Sequence, residues 1–166
     1  MLVHYFIGAI CSASVEPLGL SRILEDAFGP IDLTSPIFPY DASMHYKPEM
    51  GEGLGRIFFS LKKCHSPVKL PRFKEDAVQL EQEFFMKKGQ RSVNLDPGYL
   101  DPVKVVLAST KEGTHKIALT EKIYADMVLE FKNETFHPFD WAPADFKSGK
   151  YFPFFLELRQ RFLKKL

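Results

Sequence analysis

Arg91–Leu100 reads RSVNLDPGYL, and the reading of this stretch decides the fold. Arg91–Leu95 has the composition of a short strand. Asp96-Pro97-Gly98 has turn chemistry: Pro presets its own φ, Gly tolerates a positive one, and Asp is a ready local hydrogen-bond acceptor. The expectation is a strand that ends in a tight turn at one end of a sheet. Asn94 and Asp96, at i and i+2, share one side of that strand. An amide beside a carboxylate suits a polar ligand, a metal or a catalytic water. An ordinary tight turn explains the same residues.

Working outward, Phe73, Ala77, Leu80, Phe84 and Phe85 form an apolar stripe at helical spacing within Ser66–Lys88, ended by Gly89. Arg56–Lys62 (RIFFSLK) has strand composition. Pro39–Leu54 (PYDASMHYKPEMGEGL) shows no period and reads as a long loop, which in compact domains is often functional. Ile31–Phe38 (IDLTSPIF) alternates like a half-buried strand, and Pro36 points to an edge or a strand end. Leu18, Leu20, Ile23, Leu24, Ala27 and Phe28 recur at helical spacing after Pro17, and Gly29-Pro30 stops that helix. Leu2–Cys11 (LVHYFIGAIC) is a core-strand candidate. The order over residues 1–100 is then βαββαβ, the ferredoxin-like pattern of an α+β fold, which sets helices on one face of an antiparallel or mixed sheet.

Residues 101–166 extend this core. Val103–Thr110 (VKVVLAST) suits a helix or a strand. Thr114–Thr120 and Ile123–Lys132 suit a hairpin, with Ile123, Ala125, Met127, Leu129 and Phe131 on one face of its second strand. Pro138–Lys150 reads as a loop around Trp141. Tyr151–Leu166 (YFPFFLELRQRFLKKL) reads as an amphipathic helix, basic at its end as the helix dipole favours. A single globular domain over residues 1–166 is expected, with the C-terminal hairpin and helix packed on the core.

The chain has 166 residues, 45% of them hydrophobic, which is ample for one core. Lys plus Arg number 22 against 21 Asp plus Glu, a formal net charge of +1. Nothing global draws it to nucleic acid or a membrane surface, and neither partner is expected. No apolar run approaches the about 20 residues that span a bilayer, and Leu2–Ala13 lacks the basic flank of a secretory signal. A cytoplasmic location is expected. Cys11 and Cys64 are the only cysteines, without CxxC spacing, and read as free thiols.

The chain has no P-loop, no HExxH, no GxSxG and no EF-hand loop. Gly51-Glu52-Gly53-Leu54-Gly55 fails GxGxxG and reads as a flexible loop. No two of the five histidines lie at i, i+2 or i, i+4, so a metal site needs distant segments to converge. Ser109–Lys116 (STKEGTHK) gathers hydroxyls, two Lys, a Gly and a His between apolar segments. Lys together with backbone N–H groups near Gly can hold an anion such as phosphate, although polar loops are also routine. Glu49 is a lone carboxylate beside Gly51. Trp141 suits packing of the C-terminal helix better than a pocket wall.

Asn94-Leu95-Asp96-Pro97-Gly98-Tyr99 resembles the signature of a functionally uncharacterised bacterial family, domain of unknown function 4416. Glu49-Met50-Gly51 followed by Arg56, Val106–Lys111 followed by His115, Ile123-Tyr124-Ala125, and Trp141 with Asp145 before an aromatic-rich final helix also resemble it. The resemblance spans nearly the whole chain in order. Lys122 stands where that family often has Gly, which bears on the turn type there, and Asp126 stands for a Glu, which keeps the carboxylate. The family is sometimes labelled GTP-binding, but this chain carries neither a P-loop nor an Asn-Lys-x-Asp. The resemblance implies no reaction and no cofactor.

Three functions are compatible with these residues. The first is a pocket beside the NLDPGY segment for a phosphorylated or otherwise anionic small molecule. In it Asp96 or His115 serves as general acid or base, and Glu49, Arg56, Asn94, Tyr99, Lys111 and Tyr124 contribute to binding. The second is a non-enzymatic interaction module docking a partner through its aromatic surface and C-terminal helix. The third is a metal-dependent hydrolase built on Glu49, Asp96, His115 and Asp126. The first is preferred, because one shared pocket accounts for polar residues in several separate segments. It requires Asp96, His115 and Glu49 to lie within about 10 Å around one hollow.

Overall fold

The computed structural model describes residues 1–166. The chain runs β1 (Val3–Cys11), α1 (Pro17–Phe28), β2 (Ile31–Thr34), β3 (Phe38–Pro39), α2 (Lys47–Met50), β4 (Gly55–His65), α3 (Leu70–Phe84), β5 (Met86–Lys87), β6 (Gln90–Arg91), β7 (Val93–Leu100), β8 (Lys104–Ser109), β9 (Ile117–Ala118), β10 (Tyr124–Lys132), β11 (Thr135–Pro138), α4 (Ala144–Lys147) and α5 (Phe152–Leu163). The fold is α+β. The main sheet is antiparallel, in the order β11-β10-β8-β7-β1-β4-β2, with β3 also on β4 and β9 also on β10. β5 and β6 form a separate hairpin. No helix is long and apolar enough to cross a membrane.

LVHYFIGAIC lacks polar alternation because β1 is covered on both faces. Val3, Tyr5, Ile7 and Ala9 pack with Leu20 and Leu24 of α1 and with Phe73, Ala77 and Leu80 of α3. Phe6 faces the other way, into Phe154, Phe155 and Leu158 of α5. Helices therefore lie on both faces of the sheet, not on one. The aromatic-rich tail supplies the second layer, since a strand with two apolar faces needs two covers.

The turn expected at Asp96-Pro97-Gly98 is absent. β7 passes straight through it, paired with β1 from Val93 to Leu100 and with β8 only from Gly98 to Leu100. Gly98 does not have a positive φ. It is required by packing, because a Cβ there would lie 2.6 Å from both the Phe6 ring and the Val106 carbonyl oxygen. Pro97 is tolerated because the ladder is interrupted beside it. In an antiparallel strand, alternate residues aim their N–H and C=O toward the same neighbour. Leu95 aims both of its groups away from β1, at side chains of α3. Pro97 shares that side, where β8 has already diverged, and no ladder donor is missed.

Other elements also depart from expectation. Val103–Thr110 forms β8, and this strand, not Thr114–Thr120, is the long partner of β10. Thr114–Thr120 supplies only the two residues of β9. The C-terminal hairpin is β10–β11, turning at Asn133-Glu134 with φ of 50° and 64°, the left-handed pair that a two-residue hairpin loop demands. A bulge between Met127 and Leu129 breaks the expected alternation of β10, leaving Met127 exposed and Val128 and Leu129 buried. The long loop after β3 contains a 3-10 turn at Met44–Tyr46 as well as α2.

Gly98→Ala should destabilise the protein by about 3 kcal/mol, the upper end of overpacking costs, because the obstructing Val106 oxygen is backbone. Urea denaturation would read this as a lower midpoint, and an unchanged midpoint would overturn the packing requirement at Gly98.

Candidate functional site

Where β8 diverges from β7, α3 takes the place of the missing strand. Glu81 Oε1 accepts from the Leu95 N–H at 2.7 Å. Lys74 Nζ donates to the Leu95 carbonyl at 2.7 Å and to Asp96 Oδ1 at 3.4 Å. Lys74 and Glu81 are seven residues apart, on one helix face beside the apolar stripe. Both are buried. Burial pushes the Glu81 carboxyl above the usual carboxylate range, against the opposing pull of the Leu95 N–H, Lys74 and Arg91.

Asp96 lies at the centre. Its Oδ2 accepts from Arg56 Nη1 at 3.1 Å and from Asn94 Nδ2 at 2.9 Å. Burial alone would raise its pKa. The charges of Lys74 and Arg56, with the hydrogen bonds from Arg56 and Asn94, outweigh burial and hold the carboxyl below its ordinary range. Arg56, on β4, is 4% exposed. Its Nη2 donates to Asp145 Oδ2 of α4 at 3.3 Å, and Tyr151 Oη donates to the same oxygen at 2.9 Å. The Tyr40, Phe58 and Phe146 rings enclose the guanidinium, and Arg56 Nε has no partner.

Arg91 joins a further carboxylate to this network. Its Nη1 donates to Glu81 Oε2 at 3.0 Å and to Asn94 Oδ1 at 3.1 Å. Its Nε and Nη2 grip Glu49 Oε1 and Oε2 of α2 at 2.8 and 3.1 Å. The Arg91 hydrogen bond holds the Glu49 carboxyl below its ordinary pKa.

Between the splayed strands is a polar cleft of about 120 Å³. Tyr46, Lys74, Arg91, Asn94, Asp96, Ser109, Thr110 and Lys111 line it. Lys111 Nζ donates to His45 Nε2 at 2.6 Å. Lys116 Nζ donates to Ser109 Oγ at 3.0 Å.

Of the residues singled out from the sequence, Asn94, Asp96 and Lys111 line the cleft, Arg56 supports Asp96 from beneath, and Glu49 joins through Arg91. Three others are elsewhere. Tyr99 packs on the opposite face of the sheet, its ring centroid 5.9 Å from that of Tyr5. Tyr124 Oη donates to Glu112 Oε1 on an exposed loop. His115 stacks on Trp141 with its Nε2 3.4 Å from Asp126 Oδ1. Asp126 is buried, and burial pushes its carboxyl up despite the nearby Lys116 and His115. Trp141 also stacks with Phe139 and donates to the Met127 carbonyl at the β10 bulge. Glu49 and Asp96 thus share one network, while His115 and Asp126 form a second cluster. Sequence reasoning missed Lys74 and Glu81, which look like solvent-facing helix residues, and did not count Arg91 among the site residues. The seven-residue spacing of Lys74 and Glu81 was the only available signal.

Other constellations are structural. His4, Ser60 and Asp32 resemble a nucleophilic triad, but His4 and Ser60 are both 0% exposed. His4 Nε2 donates to the Leu61 carbonyl at 2.8 Å, and Ser60 Oγ donates to Asp32 Oδ1 at 2.8 Å. A larger hollow of about 270 Å³ beside Cys11 is lined by no charged residue. Burial pushes the Cys11 thiol up to about 12, which leaves it unreactive. No three His, Cys, Asp or Glu side chains gather into a metal-ligating group.

The model of one family, a domain of unknown function (DUF4416), matches residues 1–162. The chain belongs to the DUF4416 family. The match takes in every strand of the DUF4416 sheet, the cleft and most of α5. No curated protein and no solved structure matches it.

Asp96→Asn should cost about 3–5 kcal/mol, because it leaves Arg56 and Lys74 buried beside a neutral group. The folded pKa of Asp96 lies below the ordinary aspartate value, so its contribution is complete above that ordinary value and lost as the pH falls through the folded one. Chemical denaturation from pH 7 to pH 2 should therefore show a shallower acid limb in the variant than in the wild type.

Proposed function

We propose that the cleft between β7 and β8 binds a phosphorylated or otherwise anionic small molecule. The observation that carries this reading is the cleft lining, where the cations Lys74, Arg91 and Lys111 stand beside the hydroxyls of Ser109 and Thr110. Lys74 and Arg91 are held by carboxylates and are preorganised. Lys111 pairs with no carboxylate, and its ammonium is the cation available to an incoming anion. Asp96 is the group in reach for acid–base work. Its low pKa keeps it ionised at neutral pH, which rules out an acid role and leaves it a weak base better suited to positioning the cations around an anion. His115 belongs to the row of Asp126, which registers against Leu107 of β8, two strands from β7. At about 4.8 Å per strand, it stands apart from Asp96 and outside the cleft lining.

We also read β7-β1-β4-β2, with α1 and α3, as a ferredoxin-like unit. The support is its element order and a spatial order that brackets β1 between β7 and β4. The polar cleft favours the small-molecule reading over an interaction module. The division of Glu49 and Asp96 from His115 and Asp126 weighs against a hydrolytic metal centre built on those four.

A thermal-shift series with inorganic phosphate and sugar phosphates tests the proposal. A ligand at 100 times its Kd should add about 2.7 kcal/mol of stability, and Lys111→Ala should weaken binding about tenfold. Phosphorylated compounds that leave the wild-type Tm unchanged at millimolar concentration would overturn it.

A further inference from the structure

Arg91 stands between two polar hollows. The cleft is on one side. On the other is a hollow of about 250 Å³ whose lining includes Ser12, Glu49, Lys87, Lys88 and Gln90, and Arg91 belongs to both. Lys87 and Lys88 come from the β5–β6 hairpin, whose turn at Lys88-Gly89 is held at φ of 50° and 75°. Neither lysine is among the ion-paired residues, whereas the other cations at the site are held by carboxylates or, for Lys111, by His45.

Arg91 closes on Glu49 with three donors. Nε reaches Oε1 at 2.8 Å, Nη2 reaches Oε2 at 3.1 Å, and the backbone N–H reaches Oε1 at 3.1 Å. A guanidinium fork and an amide converging on one carboxylate form the donor set of an anion receptor. Here a side chain of the protein itself fills it. The pair is part-exposed, Glu49 at 31% and Arg91 at 23% of their side chains, so an outside anion can replace the carboxylate without a new charge being buried. α2 need not leave with Glu49, because Met50 and Leu54 anchor the segment against Ile10.

We infer that the site receives a two-headed anion, with one head in the cleft at Lys74 and Lys111 and the other at Arg91, flanked by Lys87 and Lys88. Glu49 occupies the second position until the ligand displaces it. Because the two positions share one guanidinium, the ligand class is one with adjacent anionic groups, as in a diphosphate. This inference rests on the cleft being an anion site.

Calorimetric titration of the full chain with inorganic phosphate and with pyrophosphate tests it. Pyrophosphate should bind at least about tenfold tighter than phosphate, a difference of about 1.4 kcal/mol. Glu49→Gln should tighten pyrophosphate binding severalfold, since a neutral amide competes weakly for the fork. The double substitution Lys87→Ala with Lys88→Ala, at exposed hairpin positions, should remove the pyrophosphate advantage, read as the ratio of the two affinities. Equal affinities, an advantage that survives the double substitution, or weaker pyrophosphate binding in Glu49→Gln would overturn the second position while the cleft reading stands. Binding of neither anion would overturn both.

Discussion

A guanidinium almost wholly out of water, as that of Arg56 is, must be matched by negative charge or the fold does not form. Its matches lie far along the chain: Asp96 is 40 residues away and Asp145 is 89. One side chain on β4 therefore binds a central strand to the C-terminal layer. The aromatic rings around it exclude water and strengthen both pairings. Because Oδ2 of Asp96 is held by Arg56 and Asn94, its Oδ1 is left to Lys74 and the cleft. The orientation of the most central polar group in the candidate site follows from this charge balance.

The cleft also depends on a helix acting as a strand. A β-strand offers its neighbour a carbonyl and an N–H, and Glu81 and Lys74 offer Leu95 the same pair of functions from side chains. Backbone groups in the interior must be satisfied. With α3 meeting that need, β8 is free to swing away and leave a polar space between two strands of one sheet. Arg91 and Glu49 extend the network to the long segment after β3, so that three otherwise separate regions of chain meet at one wall.

Much of this was legible in the sequence. Composition and periodicity place β1, α1, β4, α3 and α5. Glu49, Arg56, Asn94 and Asp96 share one hydrogen-bonded network and Lys111 lines the adjoining cleft, but His115, which the single-pocket reading requires, lies in another cluster. The failures have physical causes. Asp-Pro-Gly carries local turn chemistry, and the packing of Gly98 against Phe6 and Val106 overrides it. Lys74 and Glu81 have the composition of a solvated helix face, and their burial follows only from a gap in a sheet that no local pattern announces. The face change in β10 comes from one bulge residue, which shifts the period without changing composition. His115 is close in sequence to Lys111 and Lys116 but follows Asp126 and Trp141 in space.

The interrupted ladder has a further consequence, for association between molecules. An open strand flank inside a sheet is a template on which a foreign strand can add. Here the template is mostly spent. Pro97 has no hydrogen to offer, and both polar groups of Leu95 are already consumed by α3. An invading backbone would have to evict a buried lysine and a buried glutamate before it could pair with Leu95. The gap can thus stay open to small solutes while remaining closed to polypeptide, and the same two side chains that create the opening keep it from seeding aggregation.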